Sequence, residues 1–227
     1  MAKTFKEVID RLLDAYGEPE PPYVTDPFEM ILFENVAYLV DDERRVKAFE
    51  NLRRCVGLRP DEILAASSND WKPVYDLAGS NKRGQIEKLI RSAEIVGDEF
   101  GGDLSQVLEW PFKNAVNALS KFPSIGEPSA EKILLFNKAA AILPLESNGL
   151  RVLVRIGFAK EQPNYTAMYK AAQRTAAEGM PDDAEWLTAA SQLLRKHGQT
   201  ICKRTAPLCE ICVVRENCLF GRGRGGL

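Results

Sequence analysis

The chain has 227 residues, 45% of them apolar, which is enough for one large or two small hydrophobic cores. Its 30 Lys+Arg against 32 Asp+Glu give a formal charge of −2, which argues against a polyanion binder working through bulk charge, so any nucleic-acid contact has to be local. No apolar run approaches the roughly 18 residues of a membrane span, and MAKTFKEVIDRLL lacks a signal-peptide apolar block; a cytoplasmic protein is expected, nucleoid-associated if bacterial.

Apolar residues recur at three- and four-residue spacing in Phe5 to Ala15, Pro27 to Val40, Arg45 to Val56, Ile86 to Val96 and Ala184 to Leu194. These stretches predict amphipathic helices, and alternating strand patterns are scarce. Thr25-Asp26-Pro27 offers a cap and an early proline, and Asp182 or Asp183 precedes Ala184. Breaks fall at Glu18 to Tyr23, Gly57 to Pro60, Gly79 to Ser80, Gly101-Gly102 and Gly179 to Pro181. The fold class expected is all-α.

Charge is uneven. From Arg195 to Leu227 the chain holds Arg195, Lys196, Lys203, Arg204, Arg215, Arg222 and Arg224 against Glu210 and Glu216, about +5. The terminal GRGRGGL reads as a disordered tail with at most loose phosphate contact.

In the same region Cys202, Cys209, Cys212 and Cys218 form a C-x6-C-x2-C-x5-C run. Four thiolates in so short a loop suit a metal centre, either zinc or an iron–sulfur cluster. Common zinc modules use two short pairs, and electron-carrier ferredoxins use tighter spacing, which disfavours a redox carrier. Cys55, on an amphipathic stretch, reads as a buried small apolar residue.

Upstream, LSKFPSIGEPSAEKILLF at 119 to 136 ends one helix near Phe122, turns through Pro123 to Gly126 and starts another near Glu127. This is a helix-hairpin-helix pattern, whose freed backbone N–H groups suit a phosphate of any DNA sequence.

The hairpin and the cysteine run together resemble the helix-hairpin-helix base-excision DNA glycosylase superfamily, in particular its iron–sulfur branch containing endonuclease III and the adenine-mismatch glycosylases. That branch shares the cysteine spacing, and His197-Gly198 before Cys202, DPFEMIL at 26 to 32, and Asn148, Arg151, Val152 and Arg155 resemble its further segments. The resemblance covers nearly the whole chain. It implies a [4Fe-4S] cluster on Cys202, Cys209, Cys212 and Cys218, and two helical domains with DNA in the cleft between them. Residues 24–135 would form the six-helix domain, with the hairpin at about 111–136. Residues 1–23 and 136–227 would form the cluster domain, with its loop at 202–218. Pro123, Ser124, Ile125, Gly126 and Ser129 would meet DNA, and Tyr38, one helical turn beyond Glu34, would stack on an extruded base.

The chemical centre departs from the family pattern. Bifunctional members carry a lysine two residues after the last hairpin glycine, which attacks the sugar C1′. Here that position is Pro128, so lyase activity is expected to be absent or weak, with Lys121 and Lys132 as the amines nearby in sequence. The family's catalytic aspartate aligns with Glu146 in PLESNGLRVLVR, one methylene longer. From its own sequence neighbours Glu146 reads as a helix-capping carboxylate. Glu34 resembles the glutamate that protonates the departing purine in the adenine-mismatch enzymes; beside Ile31, Leu32 and Phe33 it reads either as a desolvated carboxyl able to act as a general acid or as an exposed glutamate on the polar stripe. Ser124 replaces a usual glycine, which a backbone requiring positive φ would resist.

The expectation is therefore a monofunctional DNA glycosylase, monomeric, acting on double-stranded DNA with a damaged, mispaired or missing base. The alternative is a catalytically silent lesion or abasic-site binding protein of the same fold.

Overall fold

The computed structural model describes residues 4–223. Arg224 and the rest of the glycine-rich tail, read above as disordered, lie outside the described residues. Contacts divide the chain into two units, one running from Pro22 to Ala139 and the other combining the segment up to Pro21 with Ala140 onward. The regular structure of the described residues is helical, with no β-strand among them. In chain order the helices are α1 (Phe5–Tyr16), α2 (Pro27–Asn35), α3 (Asp42–Cys55), α4 (Pro60–Ala65), α5 (Ser68–Tyr75), α6 (Lys82–Phe100), α7 (Phe112–Leu119), α8 (Glu127–Phe136), α9 (Ser147–Ile156), α10 (Tyr165–Ala177), α11 (Ala184–Thr200) and α12 (Leu219–Gly223). None is long and apolar enough to cross a membrane.

The central unit is built around α6, which packs against α2, α4 and α5, while α7 and α8 pair as the two arms of the hairpin. Its core holds Ile31, Leu32, Phe49, Leu52, Ile63, Leu89, Leu119 and Ile133, each at most 1% exposed. Full burial of such side chains is worth about 1.5–3 kcal/mol apiece, so this layer fixes how the hairpin is held.

Helix starts follow local chemistry. Asp26 accepts a hydrogen bond from the Glu29 N–H at 2.9 Å ahead of Pro27, and Asp183 accepts from Glu185 and Trp186 at the start of α11. Helix ends are less local. The apolar pattern runs from Pro27 to Val40, yet α2 stops at Asn35. Beyond it Tyr38 pairs with a distant loop: its N–H donates to the Ala78 carbonyl at 3.0 Å and its carbonyl accepts from the Ser80 N–H at 3.1 Å. Gly79, at φ +76°, makes this possible, because a Cβ there would lie 2.2 Å from the Tyr38 oxygen. Leu39 follows at φ +55° with 74% of its surface exposed. Tyr38 is thus in a braced loop and not on the helix one turn beyond Glu34. Cys55, expected to be buried, is half-buried at the last residue of α3.

The other unit packs α11 against α9 and α1, with α10 and α12 also on α9. Phe5, Val8, Ile9, Leu12, Leu150, Leu153, Tyr169, Leu187 and Leu194 form its core. Thr4 and Glu7 close a reciprocal capping box that starts α1.

Candidate functional site

The hairpin turn between α7 and α8 is anchored by Phe122 and Ile125, 2% and 4% exposed, while Ser124 and Gly126 face solvent. The Ile125 N–H donates to the Phe122 carbonyl at 3.1 Å, and Gly126 opens α8 by accepting from Ser129 and Ala130. No side-chain cap covers the start of α8. Pro128 sits in that first turn, where a missing N–H breaks no intrahelical bond. The proline fits the fold and leaves its position in the turn without a backbone donor.

Ser124 adopts φ +62°, the left-handed conformation that a side chain resists. Relief of that strain is worth about 1 kcal/mol and the extra unfolded-state freedom of glycine takes back about half. Ser124→Gly is therefore expected to raise the unfolding free energy by about 0.5 kcal/mol, read from the denaturant midpoint at constant slope. A lower midpoint would mean that the serine side chain makes a compensating bond.

The buried Asn35 ties α2 to this turn, its Nδ2 donating to the Pro123 carbonyl at 2.8 Å and to the Ile31 carbonyl at 3.0 Å. The residue before it on α2, Glu34, is ion-paired and part-exposed. Its Oε2 accepts from the Lys132 ammonium at 3.0 Å, and the two side chains are 31% and 32% exposed. Lys121 is paired elsewhere, with Glu99.

In the other unit Glu146 is the N-cap of α9. Its Oε1 accepts from the Gly149 N–H at 2.8 Å and its Oε2 accepts from Asn148 Nδ2 at 2.8 Å. Asn148 is itself fixed, because its Oδ1 accepts from Arg151 Nη2 at 2.7 Å. Arg151 then reaches the chain beyond α9: Nη2 donates to the Gly198 carbonyl at 2.8 Å and Nε to the Cys202 carbonyl at 2.9 Å. Burial draws the Arg151 pKa down, while burial and then the Glu146 charge push the Tyr165 phenol up.

Gly198 lets α11 approach α9 closely enough for this array, since a Cβ there would lie 2.7 Å from the Asn148 carbonyl oxygen. Gly198→Ala is expected to cost about 2 kcal/mol of stability, by overpacking. Displacing Asn148 should also slow any reaction that uses Glu146 by tenfold or more. Chemical denaturation and single-turnover rates read the two effects separately.

All four run cysteines line one cavity with Val152, His197 and Phe220. Among the described residues, no three His, Cys, Asp or Glu side chains converge on the position of a single metal ion. The sulfurs are supported from several directions. Cys218 Sγ accepts from the Gly221 N–H at 3.3 Å, Arg155 Nη1 lies 3.5 Å from Cys202 Sγ, and His197 Nε2 lies 3.5 Å from Cys212 Sγ. Tyr16 holds the other His197 nitrogen at 2.7 Å, and burial lowers that imidazole pKa to about 4, so the ring is neutral. Burial also pushes the Cys202 and Cys212 thiols up, so without a cationic centre they would keep their protons.

Sequence reasoning named Glu34, Glu146 and the cysteines but missed their supports. Lys132 appears in the sequence only as an amine close to the hairpin, with no sign of its bond to Glu34. Asn148, Arg151 and Gly198 appeared only as points of resemblance, although polar residues on the apolar-rich SNGLRVLVR helix were a signal that they had partners to satisfy.

No family model matches the chain. Endonuclease III of Thermotoga maritima is 26% identical over 203 residues, covering 88% of this chain and 86% of that protein. Endonuclease III of Sulfolobus acidocaldarius is 26% identical over 181 residues, 79% and 75% of the two chains. Among solved structures, a trapped endonuclease III–DNA covalent intermediate superposes with a TM-score of 0.76 at 16% identity, covering 98% of this chain and 99% of that one. A thermostable thymine-DNA glycosylase superposes at 0.73, also at 16% identity, over 96% and 97%. With the hairpin geometry above, these sequence and fold likenesses place the chain in the helix-hairpin-helix DNA glycosylase superfamily.

Proposed function

We propose that the chain is a base-excision repair glycosylase that hydrolyses the N-glycosidic bond of a damaged or mispaired base in double-stranded DNA. The reading is supported by relatives and structural neighbours that are endonuclease III and its DNA complexes. The observation that carries it is Glu146, a carboxylate locked at both oxygens by the Gly149 N–H and the Asn148 amide. A fixed negative charge is what an oxocarbenium-like sugar requires, and it costs no reorganisation during the reaction. Glu146 stabilises that cation and orients water; Glu34, hydrogen-bonded to the Lys132 ammonium, relays a proton from it to the departing base. Pro123, Ser124, Ile125, Gly126 and Ser129 hold the phosphate backbone, and Tyr38, 51% exposed, stacks on an extruded base. With Pro128 at the position of the lysine, base release proceeds by hydrolysis without concerted strand cleavage.

Cys202, Cys209, Cys212 and Cys218 line one cavity and supply the four thiolates that a [4Fe-4S] cluster takes. When bound, such a cluster supplies a structural cross-link across the loop at 202–218. Arg155 and the Gly221 N–H are the groups that would tune its sulfurs.

A second reading, a DNA-lesion or abasic-site binder without catalysis, is favoured by Pro128. Single-turnover assays on duplexes carrying a panel of lesions, with alkali to reveal abasic sites, separate the two. Base release that needs alkali to cut the strand is expected, and tight binding without base release would establish the second reading.

A further inference from the structure

His197 is the chain's single histidine, set near the end of α11 with 1% of its surface exposed. It lines the cavity of the four cysteines, and both of its ring nitrogens are engaged. Nδ1 lies 2.7 Å from the hydroxyl of Tyr16, the last residue of α1, and Nε2 lies 3.5 Å from Cys212 Sγ. The Tyr16 ring is held in turn, with the Lys196 ammonium 5.1 Å from its centroid. A neutral imidazole carries one N–H and one lone pair, so the two contacts fix each other. A sulfur that ligates a metal centre has only lone pairs to offer. Nε2 is then the donor and Nδ1 the acceptor, with the Tyr16 hydroxyl donating to it. Arg155, 3.5 Å from Cys202 Sγ, divides its donors with the Lys203 and Arg204 carbonyls at the surface, whereas the one imidazole donor has Cys212 alone.

We propose that Tyr16 and His197 form a hydrogen-bond relay that stabilises the reduced form of the metal–sulfur centre through the Cys212 sulfur. The inference rests on the [4Fe-4S] reading of the cysteines. A hydrogen bond to a ligand sulfur offsets negative charge, and the reduced state carries one unit more of it, so a donor there raises the reduction potential. Tyr16 acts through His197: its hydroxyl holds the ring in the tautomer that donates, and it polarises the Nε2–H toward sulfur. No proton leaves either residue and no covalent bond changes, so the relay needs no further reactant. Its consequence is a centre less readily oxidised, which protects the loop at 202–218. Both side chains act as positioning residues.

Two measurements on the full chain, purified without oxygen, test the relay. Isotope-labelled histidine gives a single pair of ring-nitrogen resonances, because the chain holds one histidine. In wild type they are expected to show a proton on Nε2 and none on Nδ1; the opposite tautomer or a doubly protonated ring would overturn the proposal. The second measurement is the one-electron potential of the centre, followed by visible absorbance in a mediated titration. His197→Leu removes the donor and is expected to raise the oxidised-to-reduced ratio at a fixed potential about tenfold, a fall of about 59 mV. Tyr16→Phe keeps the ring but loses the hydroxyl, and is expected to raise that ratio about threefold. An unchanged or raised potential in either variant would overturn the relay. A purely structural role would lower the iron content or the melting temperature and leave the potential of the remaining centres unmoved, which would overturn it too. If His197→Leu takes up no iron, Tyr16→Phe decides alone. Zinc without sulfide in wild type would refute the cluster reading and this inference with it, whereas a loaded cluster with unmoved potentials refutes this inference only.

Discussion

Glu146→Gln is expected to slow base release by about a thousandfold, roughly 4 kcal/mol of transition-state stabilisation, while the protein stays folded. On the proposed mechanism the two effects separate, because Glu146 would act both as the cap of α9 and as a charge beside the sugar. Its Oε1 caps α9 by accepting from the Gly149 N–H, and a glutamine carbonyl can take over that bond. Its charge cannot be replaced. The amide nitrogen would face Asn148 Nδ2, a donor facing a donor, and Asn148 cannot flip without losing Arg151. That conflict costs on the order of 1 kcal/mol, a small part of a typical domain's stability. Glu146→Ala should lose the same rate and also the cap, lowering stability by about 1 kcal/mol. Glu146→Asp restores the charge one methylene further back and should recover part of the rate. Single-turnover rates under saturating enzyme, beside denaturant melts, read both axes. If Glu146→Gln releases bases as fast as wild type, the carboxylate is only a cap and the mechanism fails.

What the sequence disclosed was what short spacings determine. The cysteine run, the hairpin turn and the caps at Asp26 and Asp183 depend on residues a few positions apart, and the structure has the turn and the caps where spacing puts them. The end of α2 was not legible, because the apolar period continues through Tyr38 while the backbone is drawn off to Ala78 and Ser80, some forty residues away. The partner of Glu34 was not legible for the same reason. The sequence neighbours of Glu34 are apolar, but its partner Lys132 is 98 residues distant. The two halves of the Glu146 support are likewise unequal: Asn148 and Gly149 are adjacent in sequence, whereas the carbonyls that hold Arg151 are 47 and 51 residues away. Periodicity reports the face a helix buries, and says little about which polar groups meet across a core.

Cys202→Ser or Cys212→Ser is expected to abolish iron incorporation and lower the melting temperature by about 10 °C or more, because the free energy of assembling such a centre is also folding free energy. Iron and acid-labile sulfide should be present in equal amounts in wild type purified without oxygen; one zinc per chain without sulfide would defeat the cluster assignment. Base release should fall as well. The loop at 202–218 and the Glu146 array are joined through Arg151, which donates to both the Cys202 and Gly198 carbonyls while it fixes Asn148. Arg155 adds a second brace, to the Lys203 and Arg204 carbonyls. A loop that loses its centre releases these carbonyls, and Asn148 then no longer holds Glu146 at one oxygen. Arg151→Met isolates the link: it should keep the iron and the melting behaviour of the loop yet lose base release by tenfold or more, as expected for a positioning residue. Full base release by an iron-free Cys202→Ser protein would show that the cysteine loop and the carboxylate are independent, and that the Arg151 bridge serves stability alone.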